Sequence, residues 1–302
     1  MMKLFNTILI GITSGSIYSL MAIAIVLVWR STRVINFAQA GLALASSFVG
    51  FEVLTRTGSF WIALPVALLA GAGMSAFIEY FFLRPLLKRS GDESQEIFLP
   101  IIATLGLLGV IKAILSFIYG DQNGTISPPV SDKDFIVGAN SISMSPMRVL
   151  ILIVVIVLVS SITWLFQKTS IGLALRASSY SPEISRLAGV RVDLIRTCGW
   201  AISGAAGSAA GMLQTANGSG SLSPDSLEFS LLLVFGFVAA VIGGLESLLG
   251  AVLGGITLGI FISFVLMYVS GSLVFISAFL ILLLVLYVRP QGIIGKKVGR
   301  RA

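Results

Sequence analysis

Three polar side chains lie inside long apolar segments, where their chemistry is most informative. Asn36 and Gln39 occur three positions apart in the sequence RVINFAQAG, and Lys112 lies about midway along another apolar segment. Residues three apart share one face of a helix, so the two amides predict a polar patch among small residues. Such a patch suits either a path for a polar solute or hydrogen bonds between helices. Lys112 is a candidate for the same path; the alternatives are that it snorkels to the membrane interface or pairs with an acidic residue.

Residue types that most enzyme sites need are missing from the chain. Its 302 residues include no histidine and a single cysteine, Cys198, so the commonest general base and metal ligand is absent and no internal disulfide can form. No segment has the G-x-x-x-x-G-K-[ST] spacing of a phosphate-binding loop. The sequence therefore predicts a non-catalytic protein that binds neither a metal nor a cofactor. An ATP-driven process would need its ATPase from another chain.

Two acidic residues border the apolar segments. We expect Glu79 to lie near the end of its helix and to pair with Arg84 or Arg30, a structural role. Glu246 is expected at a helix end, close to a polar boundary.

One polar stretch, RASSYSPEISRLAGV at 176–190, has the pattern of a short helix. Ser181 is a good N-cap, Pro182 suits the first turn, and Gly189 can end the helix. Glu183 favours the positive end of the helix dipole. Apolar residues then fall at helical spacing on one face: Ile184, Leu187 and Ala188. The pattern predicts a helix with a face available for docking, or alternatively a helix lying on a membrane surface.

Composition identifies the class of protein that must position these residues. Hydrophobic residues make up 56% of the chain and charged residues only 11%, whereas average soluble proteins have about 25% charged residues. Nine apolar runs are long enough, or nearly so, for membrane-spanning helices: 5–29, 34–54, 60–83, 97–119, 148–167, 197–216, 228–243, 248–269 and 273–288. The second and seventh are weakest and could be broken or re-entrant. We therefore predict an all-α polytopic membrane protein with about 8–9 transmembrane helices, and we favour a spanning first helix over a cleaved signal peptide.

The basic residues predict the orientation. Of the 20 lysines and arginines, 15 lie in alternate loops after the first, third, fifth and ninth runs. The positive-inside rule places these loops in the cytoplasm, so the N-terminus is expected outside and the C-terminus inside. The loop at about 168–196 and the basic tail 289–302 are then cytoplasmic, and the loop at about 120–147 is external. This placement fits membrane topology rather than nucleic-acid binding.

Small residues predict close helix packing. Glycines four positions apart let helix backbones approach within a bilayer. An alternative is that they allow helices to shift during a transport cycle. The pairs are Gly207 with Gly211, Gly250 with Gly254, and Gly255 with Gly259.

Several of these segments together resemble a known family. They occur in the order found in the permease subunits of branched-chain amino acid ABC importers, and they resemble the H-type subunit most closely. The segments are NTILIGITSGSIYSLMAIAIVLVWRSTRVINFAQAG, EYFFLRPLL, IGLALRASSYSPEISRLAGV, FVAAVIGGLESLLGAVLGGITLGI and LILLLVLYVRPQGIIGKK. The resemblance implies one permease domain over 1–302, with a fold like that of vitamin B12-type (type II) importer permeases. It also implies a bacterial inner-membrane location and three kinds of partner: a second permease or second copy, two cytoplasmic ATPases that use ATP and Mg, and an extracytoplasmic binding protein.

By the same resemblance, 176–190 matches the coupling loop that docks on the ATPase. The candidate docking residues are Arg176, Glu183, Ile184, Arg186, Leu187 and Gly189.

Gln39 follows Ala38 where the family usually has a histidine, which leaves the substrate open. We expect the importer to carry branched-chain or other hydrophobic amino acids. The second expectation is that the same machine imports urea, short amides or another small organic solute. A secondary transporter working without ATP is a third, but it would need ionisable groups at the midplane, where only Lys112 qualifies.

Overall fold

The computed structural model describes residues 2–89, 93–120, 124–137, 140–142, 144–218, 221–289 and 291–293. Within these ranges the chain is almost entirely helical, and nine long helices coincide with the nine apolar runs. A π-helical segment (Glu79–Leu83) joins the third helix to the fourth. In chain order the helices are α1 (Met2–Thr32), α2 (Gln39–Thr57), α3 (Phe60–Ile78), α4 (Arg84–Arg89), α5 (Glu93–Tyr119), α6 (Pro146–Lys168), α7 (Ser170–Tyr180), α8 (Pro182–Leu187), α9 (Val192–Asn217), α10 (Leu227–Gly243), α11 (Leu248–Tyr268) and α12 (Val274–Val288).

The prediction of an all-α polytopic membrane protein is confirmed. In the described part of the chain, six helices are long and apolar enough to cross a membrane, namely those at Met2–Thr32, Phe60–Leu87, Phe98–Tyr119, Pro146–Lys168, Leu248–Tyr268 and Gly271–Val288. The helices α2, α9 and α10 are shorter or less apolar. The buried faces of α2 and α9 consist largely of small residues and Ser, whereas that of α10 consists mostly of larger apolar residues such as Phe229 and Leu232. Helices enclosed by other helices meet little lipid, so they need less hydrophobic surface. Both α2 and α10, the two weakest runs, are unbroken.

The second run differs from the sequence prediction at its start. We expected a helix from 34, but α2 begins at Gln39. Arg33 has a positive φ of 57°, and the segment that follows is not helical. The amide oxygen of Asn36 accepts a hydrogen bond from the Ala38 N–H at 3.0 Å, a local turn that competes with helix. Asn36 therefore precedes the helix instead of sharing a helical face with Gln39.

The first helix lies at the centre of the bundle. Its residues from Ile17 to Val28 are all buried, so neighbouring helices surround this part of α1. It runs antiparallel to α11, with Ser19 Oγ donating to the carbonyl of Val252 at 2.9 Å. The contact is close because glycines face one another across it.

Two short antiparallel sheets lie at the other end from α8, in segments predicted to be external. Strand β1 (Gly124–Thr125) precedes a hairpin of β2 (Phe135–Val137) with β3 (Asn140–Ile142), and β4 (Ser221–Leu222) follows α9. Gly124 pairs with Leu222, so the loops before α6 and after α9 meet. The strands were not predicted, since two or three residues give no periodic signal.

Candidate docking and translocation sites

The predicted docking segment folds into two short helices, α7 and α8. The side chain of Thr169 caps α7 by accepting from the Gly172 N–H at 3.2 Å. Ser181 Oγ accepts from the Ile184 N–H at 3.4 Å, and Pro182 occupies the first position of α8. Gly189 has a φ of +82° just beyond the helix, which favours glycine over other residues. The N-cap, first-turn and terminating residues therefore lie where the sequence predicted them.

The apolar residues of this segment point away from the bundle. The exposed fractions of Tyr180, Ile184 and Leu187 are 85%, 66% and 89%. All six predicted docking residues are exposed, and Arg186 forms a half-exposed ion pair with Asp193 at 3.6 Å. Adjacent exposed apolar side chains on a capped helix are typical of a surface that another protein covers.

A partly buried hydrogen bond attaches the docking segment to the bundle. The Ser179 hydroxyl donates to the carbonyl oxygen of Arg30 at 2.6 Å, which joins α7 to the end of α1. Ser185, on the inner face of α8, is buried, and its carbonyl accepts from the Val190 N–H at 2.9 Å. A hydrogen bond therefore holds α7 to the end of α1, whereas the bond between Val190 and Ser185 closes the turn after α8 within the segment itself.

A buried ion pair lies behind the docking segment. Glu79 is fully buried, and its Oε2 lies 3.0 Å from Nη2 of Arg84. The Thr197 hydroxyl donates to the same oxygen at 2.6 Å, and Arg84 donates to the Asp193 carbonyl at 2.8 Å. The pairing of Glu79 with Arg84 was one of the two expected, and it connects the π-helical segment to the start of α9.

Asn36 and Gln39 form a second buried network, where α2 meets α9. The amide nitrogen of Asn36 donates to Oε1 of Gln39 at 3.2 Å, and Nε2 of Gln39 donates to the Ser203 carbonyl at 3.2 Å. Ser203 in turn donates to the carbonyl of Ala24 in α1 at 2.8 Å. Both amides are at most 1% exposed. Within one chain this geometry favours hydrogen bonding between helices, and the role in a solute path stays a prediction.

Lys112 belongs to a different contact. Its Nζ lies 3.5 Å from the hydroxyl oxygen of Ser230, which links α5 to α10. The side chain is partly exposed, and Gly109, one turn away, has open space beside it. The structure thus brings Asn36 and Gln39 together and places Lys112 at an open face of α5.

The six glycines of the predicted packing motifs all lie at helix contacts. A Cβ on Gly255 or Gly259 would clash with α1, and one on Gly250 or Gly254 would clash with α10. A Cβ on Gly207 would clash with Nε2 of Gln39. One on Gly211 would lie 2.8 Å from the Ser47 hydroxyl of α2.

Sequence reasoning missed Asp193, Thr197 and Tyr180. Thr197 and Asp193 contact Arg84 across 113 and 109 positions of sequence, and nothing local marks such partners. Tyr180, the last residue of α7, is 85% exposed, and no pattern in the sequence marked it.

A bundle of long apolar helices is the architecture of a multi-pass membrane protein, and one end of this bundle carries the capped, exposed helix α8. Residues 7–288 match the family described as branched-chain amino acid transport system / permease component. The chain belongs to this family.

Curated relatives agree with this assignment. The chain is 30% identical to a probable branched-chain amino acid transport permease protein LivH of Methanocaldococcus jannaschii, covering 94% of this chain and 90% of the relative. It is 27% identical to the high-affinity permease BraD of Pseudomonas aeruginosa, covering 95% and 94%. Among solved structures, PsaBC from Streptococcus pneumoniae in complex with Fab matches with a TM-score of 0.44 and 16% identity, covering 96% of this chain and 91% of that chain.

Proposed function

We propose that this chain is the transmembrane permease subunit of an ATP-driven importer and forms half of a path for branched-chain or other hydrophobic amino acids. The observation that carries the proposal is the exposed apolar face of α8, which belongs to a capped helix fixed to the bundle in a family of transport permeases. Helices with such a face bind in hydrophobic grooves of partner proteins.

The proposed partners follow from the family. A second permease, or a second copy of this chain, completes the path, and two cytoplasmic ATPases bind ATP and Mg and dock on α8. An extracytoplasmic binding protein delivers the substrate. In this arrangement α8 faces the cytoplasm and the N-terminus lies outside. Most of the basic tail, including Lys296, Lys297, Arg300 and Arg301, lies outside the described residues.

The contacts behind α8 indicate how its movement would reach the membrane helices. Closure of the ATPases moves α8, and four residues connect α8 to α9. The start of α9 holds Arg84 and Glu79 through Asp193 and Thr197. A shift of α9 therefore moves the π-helical segment, and through it α3.

A second substrate class has one observation in its favour. Gln39 stands where the family usually has histidine, and an amide differs from an imidazole in charge and reach. Urea and short amides hydrogen-bond as amides do. Binding of urea, with no binding of leucine, by the partner binding protein would favour this second class.

The docking role is tested with Leu187→Asp. A carboxylate has to lose its water on entering an apolar groove, so we expect loss of uptake and of co-purification with the ATPase, while the permease still inserts. Both are measured in membranes that contain the complete importer.

A matched control is available at the opposite end. Val269 is 66% exposed, as is Ile184, but it lies beyond α11 at the end predicted to be external. Val269→Asp should leave uptake and ATPase binding unchanged. Wild-type uptake and ATPase binding in Leu187→Asp would refute the docking role.

A further inference from the structure

A cleft of about 710 Å³ opens beside the docking segment, at the end of the bundle predicted to be cytoplasmic. Three separate parts of the chain line it. They are the end of α1 with the segment that follows, α4 with α5, and α8 with α9. Its volume lies in the ordinary range for small-molecule sites, about 300–1,000 Å³.

The polar lining of the cleft is mainly cationic. Arg33, Arg186 and Arg196 supply three guanidinium groups, and Asp193 supplies the one carboxylate of the lining. Arg33 also reaches Glu246 at 2.8 Å, outside the lining. The local excess of positive charge favours an anionic group as ligand.

Arg196 has a donor that the protein does not use. Within the described part of the chain, its Nε is buried without a hydrogen-bond partner. A buried donor in this state is unfavourable. A carboxylate oxygen bound in the cleft would accept from this donor once the Arg196 side chain turned its Nε toward the cleft, and the donor would then be satisfied.

The rest of the lining is aliphatic or aromatic and includes Ile35 and Ile101. The cleft thus combines cations, one carboxylate and an apolar wall. An α-amino acid with an aliphatic side chain carries the complement of each: a carboxylate, an ammonium group and a branched hydrocarbon.

We propose that the cleft is a cytoplasmic binding site for an aliphatic amino acid, which binds Arg196 through its carboxylate and Asp193 through its ammonium group. The bound amino acid joins α8 and α9 to α5 and to the segment after α1. It therefore restrains α8 and slows import when the internal concentration is high. This inference rests on the proposed function, because it gives the transported substrate class a second, inhibitory site.

Binding is measured with radiolabelled leucine on the permease–ATPase complex in nanodiscs, without the binding protein. We expect saturable binding that weakens at least about tenfold in Arg196→Gln, since a lost charge-assisted hydrogen bond is worth about 1.5 kcal/mol or more. Arg191→Gln is the matched control, because Arg191 is exposed and lies outside the cleft. Its affinity should equal that of the wild type.

The effect on import is measured in vesicles that hold ATP inside, with or without luminal leucine, and with the binding protein outside. Luminal leucine should slow the initial uptake of labelled leucine by the wild type and by Arg191→Gln. Luminal leucine should not slow uptake by Arg196→Gln, when the rate is compared with that of the same variant in leucine-free vesicles.

The two hypotheses fail in different ways. Wild-type vesicles that take up no aliphatic amino acid, even without luminal leucine, would contradict the proposed function. Normal uptake that luminal leucine does not slow, or leucine binding that Arg196→Gln leaves unchanged, would overturn the cytoplasmic site alone.

Discussion

At the scale of single residues, the position of Glu79 carries the strongest physical constraint. A carboxylate without solvent access is costly unless it is paired and hydrogen-bonded, and Glu79 accepts from both Arg84 and Thr197. Its partners come from the π-helical turn and from α9. The ion pair therefore fixes how α3 meets the helix that follows the docking segment.

Glu79→Gln should destabilise the protein strongly, because the guanidinium of Arg84 then lacks its buried counter-charge. Removing one partner of a buried pair costs about 3–5 kcal/mol. The midpoint of thermal unfolding in detergent should fall, and it can be followed with a thiol-reactive dye, since Cys198 is the only cysteine.

Glu52→Gln provides the comparison for this change. Its pair with Arg56 spans one helical turn at 3.3 Å, and both side chains are largely accessible. Pairs of that kind contribute about 0–1 kcal/mol, so the midpoint should hardly move. Equal shifts in the two variants would show that Glu79 has no special structural role.

At the scale of elements, the contact between α1 and α11 depends on the absence of side chains. Gly11 and Gly15 of α1 face Gly255 and Gly259 of α11, and in each case a Cβ would meet backbone of the other helix. Backbone cannot rotate away as a long side chain can. The central helix of the bundle is therefore held by close backbone packing, as is common within bilayers.

Gly259→Ala should separate α1 from α11 and lower the yield of monodisperse protein in gel filtration, because the new methyl group clashes with Gly15 and Gly11. The control is Gly109→Ala in α5, where nothing lies within 4 Å of the new Cβ. That variant should be neutral or slightly more stable, since alanine favours helix over glycine. Tolerance of Gly259→Ala would contradict the close-packing interpretation.

At the scale of the whole molecule, three contacts at the α8 end join residues in the predicted cytoplasmic loops or at the adjoining ends of the apolar runs. Arg33 meets Glu246, Ser179 meets the end of α1, and the Ile293 N–H donates to the carbonyl of Ile242. The pairing of β1 with β4 joins two predicted external loops at the other end. The alternating threading deduced from charge thus agrees with the tertiary contacts.

Cysteine labelling tests this orientation. In a Cys198→Ser background expressed without the partner ATPases, so that no partner covers α8, we expect Asp225→Cys to react with an impermeant maleimide on intact cells. Leu187→Cys should react only after permeabilisation, because α8 is proposed to be cytoplasmic. Both side chains are exposed, so access to the reagent depends on the side of the membrane. Labelling of Leu187→Cys on intact cells would exclude docking to a cytoplasmic ATPase.

The sequence by itself determined the features that depend on local pattern. Nine apolar runs became nine helices because hydrophobic length is a local property. The cap at Ser181 and the stop at Gly189 formed because turn and capping chemistry involves residues a few positions apart. The order of charged loops likewise predicted which ends of the helices lie together.

Only the tertiary structure decided which polar groups meet. Asn36 formed a turn and Gln39 found the carbonyl of Ser203, 164 positions away, so two amides predicted on one helical face became a contact between helices. Asp193, Thr197 and the cleft beside α8 likewise depend on segments that are distant in sequence. A buried polar group binds whichever partner the packing brings within about 3 Å, and packing is a property of the complete bundle.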